Sequence, residues 1–207
     1  MVFQFKRNAA VILSLIIIGL VIFSINFYRD PERSIPIDKN IIISPADGKV
    51  ISIDTVQDGE IPFTIKNGKI IYLPELKGVI EGNFTMVSIF MDLFDVHINR
   101  APISGQVVDI IYIDGDHLPA FGNVLIENER NIVVIEGDIR TVTVQIAGTV
   151  ARRIDCYVEE GQTLDRGDKI GIIKLGSQVV VMYPSSSSTL IKIGDNVKAG
   201  ETIIAEI

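Results

Sequence analysis

The segment GQTLDRGDKI at residues 161–170 returns as GDNVKAGETI at residues 194–203, an offset of 33 positions. Each copy holds a glycine, an apolar residue three positions on, a second glycine and an acid. These are Gly161, Leu164, Gly167 and Asp168 in the first copy, and Gly194, Val197, Gly200 and Glu201 in the second. Glycine accepts the positive φ of a tight turn, and the apolar residue between two turns can plug a core. Each copy therefore predicts strand, turn, strand. Related turns are expected at Gly48 in PADGKV (45–50), Gly105 in PISGQV (102–107) and Gly148 in IAGTV (146–150). Between them lie short β-branched runs, 49–53, 85–90, 107–113, 132–135 and 141–146, spaced by Gly, Asp and Pro. Such runs are too short for helices and read as strands. The body of the chain is predicted to be mainly β. One helical element is expected from Met91 to Asn99, where Asp92 and Asp95 break the β alternation and Pro102 closes the segment. The serines of 185–188, after Pro184, read as a solvated loop.

The repeated pattern resembles half of a lipoyl/biotinyl-type barrel-sandwich. Composition bounds what such a body can do. The 207 residues carry 19 basic and 26 acidic side chains, a formal charge of −7, which disfavours nucleic acid as a partner. One cysteine, Cys156, cannot form an intrachain disulfide, and two histidines, His97 and His117, leave a Cys/His zinc site nearly excluded. Residues 9–28 form 20 consecutive uncharged positions, flanked by Lys6 and Arg7 before and Arg29 and Asp30 after. At about 1.5 Å per helical residue this spans a hydrocarbon core. A buried core helix would show more of a polar face than Ser14, Ser24 and Asn26 provide, and no small-residue cleavage site follows the apolar stretch. A retained membrane anchor is the expectation. Basic residues flank it on both sides, so the membrane side stays open.

Two places could carry chemistry. FDVHINRAP (94–102) gathers an acid, an imidazole, an amide and a guanidinium, and makes His97 the candidate base. The bland alternative is a histidine hydrogen-bonded in a half-buried segment. His117, beside Asp116 and Pro119, reads as a surface residue. In LGSQ (175–178), the Gly176–Ser177 bond lies between two apolar runs. The Ser177 hydroxyl could attack the unshielded Gly176 carbonyl and shift the acyl group from nitrogen to oxygen, although Gly-Ser is more often just a turn or bulge.

Taken in order, FYRDPER (27–33), SPADG (44–48), FDVHINRAP (94–102) and LGSQ (175–178) resemble the phosphatidylserine decarboxylase proenzymes of the short bacterial and archaeal type. The resemblance runs from the anchor to the C-terminus. It implies a membrane anchor at 1–28 and a catalytic β-rich domain at 29–207, cut by autocatalytic serinolysis into a β chain of 1–176 and an α chain of 177–207. Ser177 would become a pyruvoyl group, which forms a Schiff base with substrate and replaces any external cofactor or metal. The resemblance assigns Asp47 to orient His97 and His97 to activate Ser177. The longer bacterial enzymes carry a second histidine where this chain has Arg100, so either His97 serves both self-cleavage and decarboxylation, or Arg100 has a different task, such as holding the substrate's carboxylate or phosphate. Gln178 also departs from the serine or threonine of the longer enzymes. The implied substrate is a membrane phospholipid with a serine head group, phosphatidylserine or archaetidylserine, in the cell membrane. A homo-oligomer is implied as well. Two rival readings are a lipoyl-like carrier, for which Lys169 lacks the usual flanking residues, and a membrane-anchored adaptor, for which no heptad-patterned hairpin is present.

Overall fold

The computed structural model describes residues 2–66, 68–115, 128–148, 153–174 and 177–207, with the side chains of 2–7 and 9 excepted. Helix α1 spans Val2–Phe27. Strands follow as β1 (Ile41–Ile43), β2 (Gly48–Val56), β3 (Phe63–Lys66), β4 (Lys69–Tyr72), β5 (Phe84–Met91) and β6 (Ile98–Arg100). Next come β7 (Gly105–Ile113), β8 (Arg130–Glu136), β9 (Arg140–Ile146) and β10 (Arg153–Cys156). The last are β11 (Thr163–Leu164), β12 (Lys169–Lys174), β13 (Ser177–Pro184), β14 (Ser188–Thr189), β15 (Asn196–Val197) and β16 (Ile203–Glu206). The body is mainly β, as the runs of β-branched residues predict.

An eight-stranded sheet in the order β11-β7-β8-β9-β13-β5-β2-β15 organises the domain. Its central strands are apolar on both faces. Val179, Val181 and Tyr183 of β13 pack with Val87, Ile89 and Met91 of β5 in one cluster. Val180 and Met182 pack with Met86, Val142, Val144 and Ile146 in the other. Two-sided burial explains why β13 reads as an unbroken apolar run rather than an alternating one. Smaller sheets, β1-β16-β14 and β10-β12-β6, flank it.

The internal repeat is real in three dimensions. All four of its glycines have positive φ, from 80 to 98°. Its short strands close the two ends of the large sheet in matching ways: Leu164 pairs with Gly105, and Val197 pairs with Gly48. Both partner glycines are required by close approach. A Cβ on Gly48 would lie 2.2 Å from the Phe90 carbonyl oxygen, and one on Gly105 would lie 2.3 Å from that of Glu136. The third related turn, at Gly148, runs into 149–152, outside the described residues.

The helix expected at Met91–Asn99 does not form. Strand β5 ends at Met91, a turn follows, and β6 begins at Ile98. The aspartates that interrupt the alternation build the turn instead: Asp92 N donates to Asp95 Oδ2 at 2.7 Å and Phe94 N to Asp92 Oδ1 at 3.0 Å. Short polar side chains that bond nearby backbone amides compete with a helix in this way. The serine stretch is a tight turn into β14 rather than a solvated loop, with Ser187 N bonded to Pro184 O at 3.0 Å and Ser187 buried. His117 lies outside the described residues.

Helix α1 contains one stretch, Ala10–Phe27, long and apolar enough to cross a membrane. Its lower end is not free. Phe27 is buried with Val96, Ile98 and Ile172, and Phe23 packs beside them. The helix is thus joined to the β domain through a small core of its own.

Candidate active site

Strand pairing brings the two candidate sites together. The register of β13 on β5 puts Ser177 opposite Met91, at one end of the 92–97 turn. At the other end of the turn, the His97 carbonyl accepts the Ile173 amide at 3.3 Å. Strand β12, which carries Ile173, leads through residues 175 and 176 to Ser177. The turn bearing His97 is therefore held against the chain on both sides of the Gly176–Ser177 bond. Leu175 and Gly176 are themselves outside the described residues. Ser177 shares the parity of Val179 and Val181, so its hydroxyl faces the cluster containing Met91, Ala147 and Ile173.

His97 is fully buried, at 0% exposure. Its Nδ1 lies 2.9 Å from the Asp95 carbonyl oxygen. A carbonyl only accepts, so that bond assigns the proton to Nδ1 and leaves the lone pair on Nε2. Among the described residues Nε2 has no hydrogen-bond partner, and neither has the buried Ser177 Oγ. Burial pushes the imidazole pKa below its ordinary value, against the Asp95 carbonyl bond, which raises it; Arg29 adds to the lowering and Asp47 opposes it. The aromatic ring of Phe27, the last residue of α1, lies over the imidazole at 4.2 Å between centroids. The site thus contains a neutral base and a hydroxyl, both dry and both unsatisfied. Unsatisfied buried polar atoms are rare in folded proteins and call for an explanation.

Asp47 and Arg100 are placed differently from what the resemblance implies. Asp47 does not hydrogen-bond the imidazole. Its two carboxylate oxygens receive Arg33 Nη2 at 2.9 and 3.0 Å, and Oδ1 also takes the Ala199 amide at 2.8 Å. It acts on His97 at longer range, by charge. Arg100 is not left available for a substrate anion: its guanidinium donates to Gly167 O at 2.9 Å and to Asp30 Oδ1 at 2.6 Å. Lys169 also pairs with Asp30, and Arg29 donates to the Phe94 carbonyl. The segment after the anchor therefore grips each part of the site in turn, Phe27 on His97, Arg29 on Phe94, Asp30 on Arg100 and Arg33 on Asp47.

Sequence reasoning quoted FYRDPER as a motif but did not see that its side chains are spent on the site. The signal is four charges of both signs, Arg29, Asp30, Glu32 and Arg33, just past an apolar span. It also missed a buried polar file in which Asn131 donates to Gln145, Gln145 to Asn99 and Asn99 to the Met91 sulfur. Gln145, inside the run TVTVQI, was its visible trace. Among the described residues, no group of three or more His, Cys, Asp or Glu is arranged to hold a metal.

The sequence matches the phosphatidylserine decarboxylase family over residues 20–205. The chain belongs to that family. A putative archaetidylserine decarboxylase proenzyme of Methanocaldococcus jannaschii is 46% identical over 189 residues, covering 90% of this chain and 91% of the relative. The same kind of proenzyme from Methanothermobacter thermautotrophicus is 40% identical over 196 residues, covering 93% and 84%. A phosphatidylserine decarboxylase proenzyme of Burkholderia pseudomallei is 41% identical over 191 residues, covering 91% and 80%. Among solved structures, glucose permease IIA from Mycoplasma capricolum aligns with a TM-score of 0.43 and 15% identity over 81% of this chain and 96% of that one, too remote to bear on the chemistry. As a member of the phosphatidylserine decarboxylase family the protein is a carboxy-lyase, made as a proenzyme that is processed into two chains. Proenzyme decarboxylases of this family use a pyruvoyl group made from a serine of their own chain. Ser177 is compatible with that requirement: its hydroxyl is buried and has no hydrogen-bond partner among the described residues.

Proposed function

We propose that this chain cuts itself between Gly176 and Ser177 and then, as a membrane-anchored decarboxylase, converts the serine head group of a phospholipid to ethanolamine with release of CO2. The observation that supports this reading is the pair of orphaned atoms, His97 Nε2 and Ser177 Oγ, on elements that pack together. His97 Nε2 accepts the proton of Ser177 Oγ, and the oxygen attacks the Gly176 carbonyl. The acyl group moves from nitrogen to oxygen, giving an ester. Loss of the Ser177 Cα proton then breaks the Cβ–O bond, releases the Gly176 carboxylate and leaves dehydroalanine, which water converts to the pyruvoyl group with loss of ammonia. When present, that group supplies an electron sink for the pair left behind by CO2.

The rest is the work of the chain's own residues. In this reading His97 Nε2 also returns a proton to the substrate carbon. The Asp47 charge raises the proton affinity of that imidazole without touching it. Phe27 and the 92–97 turn keep water from the imidazole, and Arg29 holds the turn by the Phe94 carbonyl.

The placement of the anchor supports a lipid substrate. Phe27 is both the last residue of the apolar stretch and the ring that covers His97. Beside it, Phe94 is 71% exposed and Leu93 is exposed as well, which puts apolar side chains at the level where head groups lie. A site one residue beyond a spanning segment serves a substrate that does not leave the bilayer. Whether the lipid has ester-linked or ether-linked chains is decided by presenting serine phospholipids of each kind in vesicles and following CO2. Mass spectrometry of the purified chain tests the first half: two fragments are expected, the one of residues 177–207 blocked by pyruvoyl. A single uncut chain that is fully active would overturn the mechanism. The homo-oligomer that the resemblance implies is tested by light scattering in detergent.

A further inference from the structure

Asn99, the amide of the FDVHINRAP segment, is the last member of a file of three side-chain amides, all at 0% exposure. Asn131 Nδ2 donates to Gln145 Oε1 at 2.8 Å, and Gln145 Nε2 donates to Asn99 Oδ1 at 2.8 Å. Room is kept for the file. A Cβ on Gly171, the residue opposite Asn99 in the β6–β12 register, would lie 3.0 Å from Gln145 Nε2 and 3.1 Å from Gln145 Oε1. Both bonds run the same way, so the file ends on a donor, Asn99 Nδ2, and chained hydrogen bonds strengthen one another. Among the described residues that donor meets only the Met91 sulfur, at 3.8 Å. A thioether is a weak acceptor, and an amide nitrogen has two hydrogens to place.

This end of the file lies against the reacting serine. Met91 is directly opposite Ser177 in the β5–β13 register, and its side chain belongs to the cluster that the hydroxyl faces. Directly opposed residues of an antiparallel pair keep their Cβ atoms about 4.5–5.5 Å apart on one face. Gln145 is opposite Val179, two positions from Ser177 along that same face. The next side chain, Gln178, turns to the other face of β13, where its Nε2 donates to Thr64 Oγ1 at 2.6 Å. Lys66 of the same strand β3 is likewise spent, on the Ile146 and Ala147 carbonyls at 2.9 Å. A serine hydroxyl offers one hydrogen and two lone pairs, and among the described residues Ser177 Oγ has neither donor nor acceptor on it. His97 Nε2 can take the hydrogen. A donor on a lone pair is what the file supplies.

We propose that Asn99 Nδ2 donates to Ser177 Oγ as the Oγ proton passes to His97 Nε2, which makes Asn99 a catalytic residue of self-cleavage. The proton moves from oxygen to the imidazole nitrogen, and the electron pair left on oxygen forms the new bond to the acyl carbon. Asn99 gives up no proton. Its N–H turns the hydroxyl hydrogen toward the imidazole and holds the charge that develops on Oγ. The inference rests on the self-cleavage proposed above and concerns its first step.

Full-length chain in detergent is followed in time by mass spectrometry with hydroxylamine present, which splits the ester as it forms, so that total cut chain reports the acyl shift alone. Asn99→Leu removes both ends of the amide. Asn99→Asp keeps an oxygen for Gln145 Nε2 and removes the donor. Each is expected to cut at least about 10-fold more slowly than wild type, the cost of losing a donor to charge developing on oxygen. An amide needed only for packing would keep its one acceptor in Asn99→Asp, which would then cut like wild type. Ser177→Cys supplies the second measurement. A thiol loses its proton far more readily, with an ordinary pKa of about 8.5, and its sulfur accepts hydrogen bonds weakly. In that background Asn99→Leu is expected to cost less than about threefold, whereas a damaged fold would slow both chains alike. The proposal is overturned if Asn99→Asp cuts within about threefold of wild type, or if Asn99→Leu slows the Ser177→Cys chain as much as the serine chain. A wild-type chain that never cuts would instead remove the underlying reading.

Discussion

Two buried polar clusters lie close to the end of helix α1, and they are bonded to different degrees. Around Asp47 both carboxylate oxygens are occupied, by Arg33 and by the Ala199 amide. Around Ser177 the hydroxyl and the His97 Nε2 are both without a partner among the described residues. The first cluster is held together by its bonds. The second holds its groups by strand register and by Phe27, and leaves their reactive atoms free. A carboxylate with both oxygens bonded contributes to holding the fold even though Arg33 Nε beside it has no partner among the described residues, whereas a hydroxyl and a ring nitrogen left without bonds retain the capacity to react.

Substitutions sharpen that contrast. Ser177→Ala should leave the chain uncut and drop CO2 release by about 10⁴-fold or more, while the uncut chain folds with little loss of stability, since no bond is lost. His97→Gln should slow self-cleavage by about 10² to 10⁴-fold, the range for removing a general base, with similarly little change in stability. The reverse pattern is expected at the saturated cluster. Asp47→Ala strands the Arg33 guanidinium and should cost about 3–5 kcal/mol of stability, measured in the uncut Ser177→Ala background. The double change Arg33→Met with Asp47→Leu should recover much of that loss. If Asp47→Ala instead abolishes cutting with stability unchanged, the division between the clusters fails.

The pH profile probes the same division. Burial holds the His97 pKa below its ordinary value of 6.5. The neutral form is the base, so the self-cleavage rate should stay level through about pH 6.5 and fall only in more acid solution, by about tenfold per pH unit. The unfolded chain takes up that proton near pH 6.5, so this residue's contribution to stability is lost as pH falls below that value. The smallest effect is expected at Arg100, whose charge is spent on Asp30 and Gly167. Arg100→Met should lower stability by about 1 kcal/mol and leave KM for the lipid within about threefold. A large rise in KM would restore its role at the substrate.

Much of this architecture could be read from the residues. The 33-residue repeat predicts turns that the positive-φ glycines supply, and the β-branched runs predict the strands. The Met91–Asn99 segment misled because Asp92 and Asp95 break a β pattern in the same way whether a helix or a hydrogen-bonded turn follows; the bonds to Phe94 and Asp92 amides decide it. Arg33 and Lys66 were illegible for a different reason. A charged residue in a strand or after an anchor is expected to face water, and only tertiary pairing shows that these two point inward. Arg100 looked like an anion holder because its neighbours 70 positions upstream are invisible to local reasoning.

Strand β13 is the fifth of eight in the large sheet, bonded along its length to β9 and β5, while β14 and β16 of the same 177–207 segment belong to another sheet. The proposed cut ahead of Ser177 would therefore release nothing: the short piece would be interwoven with the long one and could leave only if two sheets tore. Folding must come first, with the chain whole, because two separate pieces would have to find each other by diffusion before the middle of the sheet could close. Each molecule is in this sense assembled once. After heat or denaturant has parted the halves, new synthesis is the practical way back to working catalyst.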